Sequence, residues 1–324
     1  DETVLSQLLK NAFYIESSFE DPEGYQKLDQ ALEKIGVKNT LFYLSTPPGH
    51  YSTIVENLGR SNLETCPNGW RRIVVEKPFG RDLETAELLD DKLHSVFKED
   101  QIYRMDHYLG KETVQNILAF RFGNGIFEPL WDRKYIDHIQ ITMAEAEGVG
   151  TRAGYYDNAG VVRDVFQNHL LQLLTLTAME APAVFNAKTV RDEKVKVLKS
   201  IQQISGGTVL SNTYRAQYVS GTIEGKRVAS YRDEPDVDAN SLTETYMAAR
   251  LFVNNWRWAG VPFYLRSGKR LPKRTTEIAI QFTQVPLALF GQRNLAIEAP
   301  NVLVIRIQPD EGIALYLGAK VPGN

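Results

Sequence analysis

Cysteine is almost missing from this sequence: Cys66 is the one such residue among 324. A single thiol cannot close an intrachain disulfide, which fits a reducing compartment. An excess of one charge is missing too. Lys and Arg total 37 against 40 Asp and Glu, giving a formal net charge of −3. A chain so balanced has no basic field, which argues against nucleic acid as a main partner. No stretch approaches the ~18 consecutive apolar residues of a membrane span, so no membrane partner is expected. Five histidines and one cysteine offer neither H-x3-H nor C-x2-C spacing, so no metal is expected. A G-x-S-x-G elbow is absent. Gly24, Gly36, Gly49, Gly59 and Gly69 precede Gly80 without forming G-x-G-x-x-G.

What is present is ordinary globular material, 43% hydrophobic and 24% charged. At roughly 100–200 residues per domain, the length predicts two domains. Asp21-Pro22 is an N-cap acid followed by a helix-starting proline, and Tyr25, Leu28, Leu32 and Ile35 follow at helical spacing up to Gly36. Leu41–Leu44 reads as a buried strand before Pro47-Pro48, and Tyr51–Leu58 as a helix. Ile73–Val75 is a second strand. Asp82 caps a third helix, with Leu89, Leu93, Val96 and Phe97 on its face. Strand and helix alternating in this way imply a parallel sheet.

The pattern changes after about Tyr103. Tyr135–Met143 reads as a long strand and Val161–Met179 as a long apolar helix; Lys188–Lys199, with both charge signs, reads as a solvated helix. Strands are then predicted at Glu244–Val253, Pro262–Arg266, Thr275–Phe282, Val302–Ile307 and Gly312–Leu317, without helical crossovers. The fold class is therefore α/β plus α+β. Residues 1–104 are expected to be part of a Rossmann-type parallel-sheet domain, and residues 105–324 a β+α domain with a large, mainly antiparallel sheet.

Four segments could carry chemistry. Glu76-Lys77-Pro78 follows a predicted parallel strand, where α/β sheets place ligands, although it is equally an ordinary strand exit. Arg104–Glu112 holds His107, Tyr108 and Lys111, three phosphate-type donors, and suits either an anion-binding cleft or a solvated hinge. In the apolar helix, Asp164 and Asn168 share a face. Asp164 and His169 stand five apart, roughly 140° around an α-helix; His169 is then either a core histidine or a base whose carboxylate comes from elsewhere. Arg266–Arg270, with Lys273 and Arg274, is a basic turn that is either exposed or anion-binding.

Several runs together resemble the glucose-6-phosphate dehydrogenase family. They are Tyr43–Pro48, Val75–Leu83, Arg104–Glu112, Gly154–Asp157 and Arg163–Gln172, with the Leu265–Lys269 turn in agreement. The run Asp106-His107-Tyr108-Leu109-Gly110-Lys111-Glu112 is the most specific; Glu-Lys-Pro after a strand is shared with other sugar dehydrogenases. The resemblance implies oxidation of glucose 6-phosphate at C1 to 6-phosphogluconolactone, the first step of the oxidative pentose phosphate pathway, with NADP⁺ taking the hydride. It implies a cytoplasmic, bacterial-type enzyme that forms a homodimer or homotetramer through its large sheet. His169 matches the general base and Asp106 the carboxylate that orients it. His107, Tyr108 and Lys111 match phosphate-binding positions, with Arg152 nearby. Glu145 and Asp164 match acceptors of sugar hydroxyls, and Lys269 and Arg274 further substrate contacts. Lys77 matches a residue bridging cofactor and substrate, and Pro47 and Pro48 lie on the cofactor side.

Two departures temper this. The family's glycine-rich turn and the Arg that reads the 2′-phosphate are not in the sequence, so weak NADP⁺ binding is expected of these residues alone. The chain opens at Asp1 in a helical pattern and closes after an apolar run at Val321-Pro322-Gly323-Asn324; both ends are expected to be cut. The stretch Thr275–Ala279 also lacks the basic residues that hold a second NADP⁺ in some members. The alternatives are another NAD(P)-dependent sugar dehydrogenase and an inactive fragment of the enzyme.

Overall fold

The computed structural model describes residues 2–223, 225–285 and 300–319; Val321–Asn324 lie outside them. The chain divides into two compact units, Asp1–Met105 and Asp106–Asn324.

The first unit runs α1 (Glu2–Lys10), α2 (Pro22–Ile35), β1 (Thr40–Leu44), α3 (Tyr51–Arg60), β2 (Arg71–Glu76), α4 (Leu83–His94) and β3 (Ile102–Met105). Its strands form a parallel sheet in the order β1-β2-β3. The Asp21 side chain accepts from Glu23 N–H to start α2, and Gly36, at φ +73°, takes the left-handed turn that ends it. Asp82 and Thr85 cap α4 reciprocally. Gly80, at φ +78°, ends the β2 exit where a Cβ would stand 2.5 Å from Ala86 N. Leu44, Val55, Ile73, Val75 and Leu93 meet in the core.

Two readings are corrected here. β1 is an edge strand, and only one side of it is covered: Leu41 and Tyr43 are 51% and 49% exposed. α4 stops at His94, so Val96 and Phe97 are not on its face; Phe97 reaches the core from the turn beyond.

The second unit begins with α5 (Glu112–Gly123), β4 (Ile136–Ala144) and α6 (Ala153–Val161). A π-helical stretch, Val162–Leu170, leads into α7 (Leu171–Ala178), α8 (Ala187–Ser200) and the short α9 (Val209–Asn212). Then come β5 (Thr213–Ala216), β6 (Gly221–Ile223), β7 (Lys226–Val228), β8 (Tyr246–Phe252), β9 (Pro262–Gly268), β10 (Thr275–Phe282), β11 (Val302–Gln308) and β12 (Gly312–Tyr316). Seven strands form a sheet in the order β12-β11-β10-β4-β9-β8-β5. All its described pairings are antiparallel except β4 with β9. Period-two alternation sends Phe263 and Leu265 inward, where they share a core with Leu170, Leu173 and Leu174 of the helices. Tyr264 and Arg266 point to the other, exposed face.

The expected single helix Val161–Met179 is two pieces, a π stretch and α7. Gly160 breaks the helix before it (φ 70°, ψ 170°), and the π stretch separates α6 from α7.

Ile141 is fully buried in β4, between β10 and β9. Ile141→Ala should cost about 2–5 kcal/mol of stability through the cavity it leaves. Urea unfolding measures this, and a loss below about 1 kcal/mol would contradict the central placement of β4.

Candidate functional site

The site grows from a widened helix. The Asn168 side chain inserts into the backbone ladder: its Nδ2 donates to the Arg163 and Asp164 carbonyls at 3.0 and 3.2 Å, and its Oδ1 accepts from His169 N–H at 2.6 Å. Such an insertion displaces the i→i−4 pattern, and the stretch adopts the i→i+5 register of a π-helix. Residues five apart then lie nearly above one another. The separation of roughly 140° expected for Asp164 and His169 assumed α geometry and does not hold; both side chains are buried.

His169 finds its carboxylate at Asp106, the first residue of this unit, with Nδ1 2.6 Å from Oδ1. Asp106 also caps the turn that follows, accepting from Tyr108 N–H at 3.0 Å. Burial pushes the Asp106 carboxyl up, but the His169 hydrogen bond and charge, the Tyr108 amide and the His107 charge outweigh it and hold it below the usual carboxylate range. An ionised carboxylate only accepts, so Nδ1 is a donor to it, and in the neutral imidazole the lone pair is on Nε2. Tyr108 stacks on the imidazole at 4.3 Å, and His107 meets it edge-on at 4.6 Å. Donor atoms of Asp106, His107 and His169 lie within 4.8 Å of one another, although no sequence spacing suggests a metal.

The remaining residues gather at one end of the seven-stranded sheet. β4 and β9 run parallel, so both exit there, and their next residues form the Glu145–Lys269 ion pair at 2.6 Å. Lys269 is 8% exposed, and Arg270 bonds Glu234 at 2.9 Å. Lys269 and Arg270 are therefore held within the unit, whereas Arg266, Lys273 and Arg274 of the same basic segment are exposed. The register Thr276↔Gln308 brings the end of β11 to the same place. Gln308 accepts from Lys111 Nζ and donates to Tyr108 OH, both at 3.0 Å. Arg152 reaches Asp164 at 3.3 Å and is itself over half exposed. Arg274, also exposed, stands 3.9 Å from Glu147, and its charge acts on Tyr108.

Two residues here escaped the sequence reading. Tyr156 is 1% exposed, its ring centre lies 5.2 Å from Lys269 Nζ, and its hydroxyl has no partner among the described residues. Burial, then the charges of Asp164, Glu145 and Glu244, drive its ionisation far up, so it remains a neutral donor. Gln308 was the other; its one signal was a polar residue closing an apolar strand.

Lys77, Pro47 and Pro48 lie in the first unit, at the carboxyl ends of β2 and β1. Thr46 Oγ1, at the β1 exit, is buried without a partner among the described residues. An orphaned hydroxyl beside a lysine at parallel strand ends fits a polar ligand such as the nicotinamide half of a dinucleotide. The sequence supplies no glycine-rich turn for a pyrophosphate.

Comparison with known proteins decides the family. Residues 118–324 match the model of the glucose-6-phosphate dehydrogenase C-terminal domain, and residues 1–116 that of its NAD binding domain. The chain belongs to the glucose-6-phosphate dehydrogenase family. It is 51% identical to glucose-6-phosphate 1-dehydrogenase of Aggregatibacter actinomycetemcomitans over 98% of this chain and 65% of that one. It is 46% identical to the Bacillus subtilis enzyme over 94% of this chain and 63% of that one. The chain thus spans about 65% of the length of the former relative. A solved glucose-6-phosphate dehydrogenase in complex with its substrate glucose-6-phosphate covers the whole chain, with 65% of its own length matched, at TM-score 0.88 and 39% identity. The Mycobacterium avium enzyme matches over the whole chain and 67% of its own, at 0.86 and 40%. Both chemistries in the family's name, sugar-phosphate recognition and dehydrogenation, have candidate residues here. No described helix is long and apolar enough to cross a membrane.

Gly160 stands just before the π stretch, at φ 70°. A Cβ there would stand 2.5 Å from Glu244 Oε1, which accepts from Val162 N–H at 3.3 Å at the head of the π stretch. Gly160→Ala should cost roughly 1–3 kcal/mol, from the positive φ and the displaced carboxylate. It should also lower turnover by shifting Asp164 and His169. Thermal unfolding that matches the parent protein would refute this.

Proposed function

We infer that the protein oxidises glucose 6-phosphate at C1 to 6-phosphogluconolactone with NADP⁺ as acceptor. The observation that carries the reading is the buried His169–Asp106 pair, Nδ1 to Oδ1 at 2.6 Å; on this reading Nε2 is the base. A C1 hydroxyl yields hydride readily only as its proton leaves. Nε2 takes that proton, and Asp106 balances the imidazolium, as the aspartate does in hydrolase triads. The Tyr108 face stabilises the same cation. A bound nicotinamide supplies acceptance of the hydride; Lys77, Thr46, Pro47 and Pro48 are the residues of this chain assigned to it.

Lys111, His107 and Tyr108, with Gln308, are assigned to the phosphate. Lys111 is a charged donor whose present partner is a neutral amide, so a phosphate oxygen would be a stronger acceptor. Phosphate binding is remote from C1, so its energy can be spent on orienting the reacting end. Glu145 and Asp164 are assigned to sugar hydroxyls, with Lys269, Arg274 and Arg152 completing the polar wall. Self-association through the exposed sheet face, into a homodimer or homotetramer, and a cytoplasmic location complete the reading.

The test is a dehydrogenase assay with glucose 6-phosphate and either NADP⁺ or NAD⁺, on a form as long as the curated relatives. His169→Asn should lower kcat by on the order of 10²–10⁴ while the substrate still binds. Near-normal turnover would return His169 to the core. Lys111→Ala should raise KM for glucose 6-phosphate about tenfold, the equivalent of a lost charge-assisted contact, and narrow the preference over free glucose. An unchanged ratio of kcat/KM for the two sugars would remove Lys111 from the phosphate site.

A further inference from the structure

Next to Lys269 in the chain stands an ion pair that the proposed chemistry does not use. Arg270 Nη2 donates to Glu234 Oε1 at 2.9 Å, and the Tyr218 hydroxyl donates to the same oxygen at 3.0 Å. The Tyr218 ring centre also lies 5.8 Å from the guanidinium carbon, so one side chain serves both members of the pair. Little of this suits stability. Arg270 is a non-glycine residue at φ +56°, in the left-handed region. Its Nε is buried with no hydrogen-bond partner among the described residues. The Arg270 and Glu234 side chains are 24% and 10% exposed, so both charges have lost most of their water. An apolar pair would avoid these costs.

What the arrangement does is tie two chain segments together. Lys269 opens the turn after β9, and Glu145 opens the loop after β4. Glu145 N–H donates to the Gly268 carbonyl at 3.0 Å, Arg270 N–H to that of Glu147 at 3.2 Å, and Leu271 N–H to that of Glu145 at 2.9 Å. Further along the same loop, Val149 N–H donates to the Tyr218 hydroxyl oxygen at 3.4 Å. Gly148 passes so close to the pair that a Cβ there would stand 2.7 Å from both Arg270 Nε and Glu234 Oε1. The pair thus touches the loop that carries Glu145, while the backbone of Arg270 makes the turn that carries Lys269.

We propose that Arg270 and Glu234 are positioning residues for the sugar: their ion pair fixes the Lys269 turn against the Glu145 loop, so that the ammonium and the carboxylate meet the substrate already in place. The proposal rests on the assignment of Glu145 and Lys269 to the sugar and adds the pair that sets where they stand. Neither Arg270 nor Glu234 is assigned a contact with the substrate.

The experiment uses the full-length protein and the variants Arg270→Ala, Gly148→Ala and Glu145→Ala, with Arg270→Ala also made in the Glu145→Ala background. Arg270→Ala should raise KM for glucose 6-phosphate about tenfold and change kcat by less than about threefold, because binding contacts are displaced while the His169–Asp106 pair is not. Gly148→Ala keeps both charged side chains but wedges into them, and should act alike. Without Glu145, Arg270→Ala should add less than about a twofold further rise, because the two residues act through one contact. An unchanged KM in Arg270→Ala and Gly148→Ala overturns the proposal. So does a fall in kcat with KM unchanged, or a full effect of Arg270→Ala in the Glu145→Ala background. The crystal structure of Arg270→Ala should show that Lys269 Nζ has lost its 2.6 Å contact with Glu145 Oε2; an unaltered contact overturns the proposal. A protein that does not oxidise glucose 6-phosphate defeats the functional reading, while the crystal structure still decides what Arg270 positions. Should Arg270→Ala not fold, Gly148→Ala carries the same measurements.

Discussion

The arrangement depends on one contact, the hydrogen bond between His169 Nδ1 and Asp106 Oδ1 in a nearly closed environment. It joins the first residue of the second unit to the middle of that unit's central helix. A buried ion pair is not a cheap way to hold two elements together, because desolvating both groups can cost as much as their attraction returns. Geometry decides the balance here. Tyr108 N–H satisfies the same carboxylate oxygen, and the Tyr108 and His107 rings occupy two sides of the imidazole. The histidine therefore has one orientation, with its unbonded nitrogen directed away from Asp106. A base fixed before substrate arrives spends nothing on reorganisation when the proton moves.

The helix had to change its pitch to make that contact. Asn168 gives up its side chain to three backbone groups of its own helix, and Gly160 and Glu244 fix where the altered stretch starts. At the sheet, topology does the equivalent work. A pair of parallel neighbours inside an otherwise antiparallel sheet delivers two strand ends to one place, and a carboxylate and an ammonium meet there. Opposite charges are paired in this unit, Glu145 with Lys269 and Asp164 with Arg152. On the proposed function, such pairing would offer a sugar phosphate donors and acceptors without any large net field, consistent with the balanced charge of the whole chain.

How much of this was legible in the sequence follows from which signals are local. Caps such as Asp21 and Asp82, and period-two strands such as β9 and β10, depend on near neighbours and were readable. β1 was read as a buried strand, yet Leu41 and Tyr43 are exposed, because an apolar run does not say whether both faces of a sheet are covered. α5 was passed over: its buried residues include Arg121 beside Val114 and Ile117, and a charge among core positions blurs the apolar stripe. That guanidinium is partly satisfied, and only in three dimensions: Nη1 donates to the Leu176 carbonyl at 3.0 Å and the Phe122 and Trp131 faces lie against it, while Nε and Nη2 have no hydrogen-bond partner among the described residues. The π register was illegible for a related reason. A periodicity of ~100° per residue presumes the α-helix, and nothing in the spelling of Asn168 announces that its side chain will enter the ladder. His169, Lys269 and Asp106 were visible as motif members, and the resemblance paired Asp106 with His169; the pairing of Glu145 with Lys269 needed the fold.

The unsatisfied atoms argue the same point from the energetic side. A buried polar atom without a partner costs about 1–3 kcal/mol, and such atoms are scarce in folded proteins. Asp106 Oδ2 and Tyr156 Oη in the second unit, and Thr46 Oγ1 in the first, are of this kind. Packing alone would have replaced them: phenylalanine fills the volume of Tyr156, and valine that of Thr46, with no polar atom to satisfy. A core built only for stability has no reason to keep these oxygens. A surface built to receive hydroxyls, phosphate and a polar cofactor ring does, because the ligand supplies the missing hydrogen bonds and recovers the cost on binding. The stability given up in the free protein is then the preorganisation that the bound state uses.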